Sequence, residues 1–162
     1  KSRLRLWKPI VVKWLHRLLD HMVDVGFTGT VLEKKHCKYI PFYKDELAVI
    51  TPDTPEYRIL KEQNRDDIDW IKRKPLILRE EGSGTRKEAE KQLKSAGISM
   101  ETLDIVASIA NQETIKKSVK QGMGITVLSR LAAEDEDGLL IFPIPALMKD
   151  EISIWSIIKI IR

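Results

Sequence analysis

The sequence predicts an α/β protein built on a mainly parallel sheet, and three observations carry that prediction. Short apolar runs of strand length alternate with amphipathic segments of about a dozen residues, which is the spacing of βαβ units. Glycines fall where the helical segments stop, at Gly97 and Gly122. Two proline-marked connectors, at 51–55 and 143–145, bracket the middle of the chain. That bracketing divides the chain into a first lobe over 1–52, a second lobe over 53–142 and a return to the first lobe over 143–162.

Taken in order, Val12, Leu15, Leu19 and Met22 recur at helical spacing, which predicts an amphipathic helix over about 9–22 with Pro9 near its start. Asp24 to Gly29 reads as a short strand ending in a glycine turn, and Glu46 to Ile50 as a second strand. Thr51 to Pro55 reads as a connector, because its prolines remove amide donors and disfavour helix before each. One short helix carrying Ile68 and Ile71 is expected within the polar stretch 56–74, followed by a strand at Leu76 to Leu78. A helix is expected from Thr85 to Ala96, a strand over Leu103 to Ile109, and a helix opened by Asn111 and closed at Gly122. Gly124 to Leu128 is again a strand. Ser129 is placed to cap a short helix running into the acidic loop Glu134 to Gly138. Leu139 to Phe142 and Ile152 to Ile161 complete the strands.

Composition narrows the function classes. A chain of 162 residues with 43% hydrophobic and 32% charged residues buries a real core without staples. The lone Cys37 excludes an internal disulfide framework and suits a reducing, cytoplasmic setting. No apolar run reaches the roughly 18 residues of a membrane span. The net charge of +4 is scattered, so it reads as a solvated face rather than a nucleic-acid stripe, and it equally suits a small anionic ligand.

The segment richest in chemistry is Arg79-Glu80-Glu81-Gly82-Ser83-Gly84-Thr85-Arg86. A strand runs through a glycine-rich turn into a helix start, which gathers free amides and the positive end of the helix dipole. Ser83 and Thr85 add hydroxyls, Gly84 lets a ligand approach the backbone, and Arg86 offers charge. Two readings stand side by side: an oxyanion-binding wall, or a plain helix cap in which Thr85 and Glu88 form a capping box. Asn111 repeats the strand-to-helix arrangement, where such a residue is more often simply an N-cap. If the strands are parallel, these helix starts share the carboxyl edge where such sheets place ligands. Phe27 and Thr28 follow a strand of their own and are placed to face that edge from the other lobe.

Several segments together resemble the effector-binding domain of LysR-type transcription regulators: Asp24 to Phe27, Asp45 to Pro52, Arg79 to Arg86, Asn111 to Val119, Gln121 to Arg130 and Leu139 to Phe142. The resemblance covers about residues 20–145 and rests on the order and spacing of all six. It implies a periplasmic-binding-protein-like fold of two Rossmann-like lobes with a ligand cleft between them. It further implies that Ser83, Gly84, Thr85, Asn111, Phe27 and Thr28 line the cleft. A small, anionic effector would then bias lobe closure and dimer or higher packing. DNA contact would belong to a separate winged helix-turn-helix domain absent from this chain. The family's domain begins with a further strand and helix that nothing before Lys8 matches, so an incomplete first lobe is expected.

Other chemistries fit less well. His16, His21 and His36 lack zinc spacing, and the acidic run Glu134 to Asp137 lacks calcium-loop spacing, so no metal is expected. Gly82-Ser83-Gly84 lacks the ending of a nucleotide P-loop, and no cofactor is expected. An enzyme on the same fold would need a clustered base or a cofactor cysteine, so the chain reads as a non-enzyme. A phosphate- or oxyanion-type solute-binding protein of a transport system is the alternative reading.

Overall fold

The computed structural model describes residues 20, 22, 26–28, 36–63, 67–145 and 153–160. The helix expected over 9–22 lies outside them, apart from Asp20 in a turn and Met22 in a bend. The strands form two sheets. In the first, β1 (Gly26–Thr28) and β2 (Cys37–Asp45) flank β8 (Ser153–Ile160), both antiparallel to it. The second contains β3 (Leu47–Pro52), β4 (Pro75–Arg79), β5 (Asp104–Ile109), β6 (Ile125–Ser129) and β7 (Leu139–Pro143), in the order β5-β4-β6-β3-β7.

Within the second sheet β4 is parallel to β5 and β6, while β3 runs antiparallel to β6 and β7. The α/β class expected from the sequence holds, with one reversed strand. The reversal has a simple cause. Only Glu46 separates β2 from β3, and the chain enters the second sheet beside Ser129, the carboxyl end of β6. It therefore runs down the sheet against its neighbours. This moves the division at residue 52: Leu47 to Pro52 pairs with β6 and β7, so the second sheet takes the chain from Leu47 to Pro143. The segment Cys37 to Asp45, given no element in the sequence reading, is the longest strand of the first sheet.

Helices cover both faces of the second sheet, which explains why its strands read as nearly unbroken apolar runs. Side chains alternate between the faces. Leu47, Val49, Leu76, Leu78, Ile125 and Val127 meet Ala89 and Leu93 of α2 (Gly84–Ser95) on one side. Ala48, Ile50, Ile77 and Leu128 meet Ile115 and Val119 of α3 (Gln112–Lys120) on the other. Ahead of β4, α1 (Pro55–Glu62) and a 3-10 turn (Asp69–Arg73) supply Tyr57 and Trp70. These pack against Phe142 with ring centroids 5.1–6.5 Å apart. Trp70 thus serves packing. The short helix expected after Ser129 is a run of turns, although Ser129 Oγ does accept from the Ala132 amide at 3.4 Å.

Two devices fix the helices. α2 stops in a left-handed turn at Gly97 (φ +79), where the Gly97 and Ile98 amides donate to Lys94 and Leu93 carbonyls. α3 is pinned by a buried ammonium. Lys116 Nζ reaches Glu136 at 2.5 Å, Glu113 at 2.9 Å and the Ala132 carbonyl at 3.1 Å, and Lys120 reaches the same Glu136 at 2.6 Å. Burial opposes the charge on Lys116, and its bonds to Glu113 and Glu136 outweigh that and raise its pKa. The Glu136 carboxyl is held at about 2 by hydrogen bonds from Lys116 and Lys120.

Two stability outcomes follow from this packing. A Cβ at Gly124 would lie 2.4 Å from the Pro75 carbonyl oxygen, whereas one at Gly97 meets nothing within 4 Å. Gly124→Ala should cost about 3 kcal/mol in urea unfolding, against about 1 kcal/mol of left-handed strain for Gly97→Ala. Because the folded pKa of Glu136 lies below its ordinary 4.5, its contribution is complete above that value and is lost as pH falls toward 2. Unfolding midpoints measured across that window should fall less steeply for Glu136→Gln than for the wild type.

Candidate functional site

The parallel strands β4, β5 and β6 end at one edge of the second sheet, and β3 begins there. That edge collects the turn from Glu80 to Thr85, Asn111, Ser129 with Arg130, and Glu46. Four of the sequence-predicted site residues therefore share it: Ser83, Gly84, Thr85 and Asn111. Phe27 and Thr28 stand instead in the three-stranded sheet, where their backbones pair with Ile157 and Ser156.

The turn after β4 is tight, with the Ser83 amide donating to the Glu80 carbonyl at 3.1 Å and Gly82 at φ +87. Ser83 is the N-cap of α2 in extended backbone, and its carbonyl accepts the first helix bond from Lys87 at 3.1 Å. Its side chain makes no capping bond although the residue is only 5% exposed. Thr85 lies inside the helix, so the capping box with Glu88 does not form. Glu88 accepts from Gln92 Nε2 at 3.0 Å instead. Neither hydroxyl is spent on capping, and the amides of Gly84, Thr85 and Arg86 precede the first intrahelical donor, the Lys87 amide.

Asn111 behaves differently. Its Oδ1 accepts from the Thr114 amide at 3.0 Å, a true N-cap, leaving Nδ2 as the donor a ligand would meet. Arg86 is also committed. Its guanidinium donates to Glu90 at 2.8 Å, to the Arg79 carbonyl at 3.3 Å and to Ser108 Oγ at 3.4 Å. It therefore braces α2 against the ends of β4 and β5 rather than offering the charge expected of it. Arg79 closes on Glu80 through two bonds of 2.8 and 3.0 Å.

Arg130 and Glu46 also reach this edge, although the sequence marks neither as a site residue. The Arg130 amide donates to the Glu46 carbonyl at 2.7 Å, tying the end of β6 to the start of β3. The signal was present: a strand at Gly124 to Leu128 must deliver its next residues to the same edge as Ser83. Among the described residues no group of three His, Cys, Asp or Glu side chains is arranged to hold a metal. His16 and His21 lie outside them. Cys37 is buried in β2, and the acidic run is engaged through Glu136 by Lys116 and Lys120. No helix among the described residues is long and apolar enough to cross a membrane.

Residues 12–156 match the family described as LysR substrate binding domain. The HTH-type transcriptional regulator YeiE of Escherichia coli K12 is 32% identical over 149 residues, covering 88% of this chain and 47% of its own length. The HTH-type transcriptional activator CmpR of Synechocystis is 30% identical over 128 residues, 78% of this chain and 40% of its own. The chain thus spans about half the length of the curated relatives it matches, or less. Among solved structures, the Synechocystis PCC6803 CcmR regulatory domain in complex with 2-PG superposes with a TM-score of 0.71 at 24% identity, covering 91% of this chain and 69% of that one. The QuiR effector binding domain in complex with shikimate gives 0.72 at 14%, covering 91% and 67%. The fold is shared with these domains.

The unequal capping gives a direct test. Asn111→Ala should lower unfolding free energy by about 1 kcal/mol, while Ser83→Ala, which removes no capping bond, should change it by less than about 0.5 kcal/mol. Equal losses in urea titration would return Ser83 to a structural role.

Proposed function

The chain belongs to the LysR substrate binding domain family, and we propose from that premise that it is the effector-sensing part of a transcription regulator. A small anion would bind between the two sheets and control DNA binding by a separate winged helix-turn-helix domain. The carrying observation is the turn at Ser83, where a residue only 5% exposed spends its hydroxyl on no cap, beside unspent amides. A strand-end helix start of this kind offers donors and a positive dipole end to an anion.

In this reading the five-stranded sheet is one lobe and the three-stranded sheet belongs to the other. Ser83, Gly84 and Thr85 supply hydroxyl and amide donors, Asn111 supplies its Nδ2, and Thr28 with Phe27 closes the cleft from β1. The curated relatives are transcription regulators by name, which favours this reading over a transport solute-binding protein and over an enzyme. Shikimate and benzoate, named with the neighbouring QuiR and BenM domains, are carboxylates, in keeping with an anionic effector. We place the parent protein in the cytoplasm as a homodimer or higher assembly. The outer edge of β5, where Ile105 and Val106 are exposed, is suited to sheet-edge contact with a second copy.

The test is thermal unfolding with small anions at constant ionic strength, using phosphate, sulfate, benzoate, shikimate and 2-PG. At a hundredfold excess over Kd, a binding anion should raise Tm by roughly 5–10 °C, and Thr85→Ala should diminish that rise. A rise that Thr85→Ala leaves unchanged would move the site elsewhere.

A further inference from the structure

Among the described residues, three arginines reach the carboxyl edge of the second sheet, and they are held very differently. Arg79 and Arg86 have side chains only 15% and 17% exposed, and both are engaged by glutamates at 2.8 Å. Arg130 is 54% exposed, with its guanidinium 3.3 Å from Glu134 and 4.0 Å from Glu46. Those carboxylates are themselves about half exposed or more. Ion pairs this open and this long contribute little, because water screens them and two long side chains must be ordered. Arg130 is therefore the arginine at this edge whose partners are readily exchanged.

Its position gives the exchange a consequence. β6 lies between β4 and β3 in the sheet, so Arg130 stands one strand from the Ser83 turn on one side and one strand from Glu46 on the other. Neighbouring strands are spaced by about 4.8 Å, within the reach of an arginine side chain. Glu46 is the single residue through which the chain passes from the first sheet to the second, and its carbonyl already accepts from the Arg130 amide.

We propose that Arg130 reads the charge of an anion bound at the Ser83 turn by giving up its Glu46 ion pair to take the ligand. Occupancy is then felt at the residue that joins the sheets. The proposal rests on the anion-site reading above and adds to it a competition. Glu46 and the ligand are rivals for one guanidinium, so the crossing residue holds affinity down until an anion displaces it.

Calorimetric titration of the wild type, Arg130→Gln, Glu46→Gln and the double variant tests this, using the same five anions at constant ionic strength and Thr85→Ala as reference. Loss of a charge-assisted bond should weaken every anion that binds the wild type by about tenfold or more in Arg130→Gln. Glu46→Gln should tighten the same anions severalfold, and the double variant should match Arg130→Gln alone, since the competitor matters only when Arg130 is present. Wild-type affinity in Arg130→Gln, with Thr85→Ala weakened, would overturn the proposal and leave the anion site standing. No anion binding the wild type would overturn both. Should Arg130→Gln fail to fold, Glu46→Gln decides alone: tightening supports the competition, and unchanged affinity overturns it.

Discussion

The constraint on which this structure depends is the one-residue passage at Glu46. A strand that follows another after a single residue cannot be carried to the far end of a new sheet. It must enter where it arrives. β3 therefore starts at the edge where β4, β5 and β6 finish, and runs between β6 and β7 against both. Its position also separates the parallel strands β4, β5 and β6 from β7, the last strand of this sheet. The amide of Arg130 on the Glu46 carbonyl closes this junction. The loops that follow the parallel strands consequently gather beside the point where the chain changes sheets, rather than at the remote edge.

Given that geometry, the distribution of satisfied and unsatisfied polar groups along the edge becomes informative. Buried polar groups ordinarily find partners, and most here do. Thr126 Oγ1 donates to the Ile77 carbonyl at 2.7 Å inside the sheet, Asn111 caps α3, and Arg86 ties two strand ends to α2. The Ser83 turn differs in that its donors are left to the surface of the edge. Its hydroxyl, the Thr85 hydroxyl and the first amides of α2 are not consumed by the fold, at a place where consuming them was structurally easy.

Much of this was legible in the sequence, for reasons that can be assigned. β4 and β6 appear as apolar runs because both their faces are covered, and α2 and α3 end where Gly97 and Gly122 permit left-handed backbone. β2 was not legible. Its residues Cys37-Lys38-Tyr39-Ile40-Pro41-Phe42-Tyr43-Lys44-Asp45 lack a clean alternation, and the register shifts between Pro41 and Tyr43. A proline and a bulge are tolerated at the rim of a sheet, where β2 lies, but they erase the period on which sequence reading relies. The lobe division was misplaced because Pro52 looks like a strand stop, yet in β3 it is simply the last paired residue, opposite Leu139. The candidate site was partly legible: Ser83 and Thr85 stand out by type, whereas the commitment of Arg86 to Ser108 and the Arg79 carbonyl depends on tertiary placement.

The acidic segment after β6 shows how such an edge can be responsive without being loose. Its far end is clamped, since Glu136 is shared by Lys116 and Lys120 and Lys116 is buried with a further bond to the Ala132 carbonyl. Breaking a buried pair leaves an uncompensated charge and is strongly disfavoured. At the near end the backbone is tied by the Arg130 amide on the Glu46 carbonyl, while the Arg130 side chain is held through exposed contacts with Glu134 and Glu46. A change of partner at Arg130 thus meets a rigid support on the α3 side and a weak one on the β3 side. On the proposed reading, an anion arriving at this edge would act on the weakly held Arg130 side chain, beside the passage at Glu46 from which the sheet order itself derives.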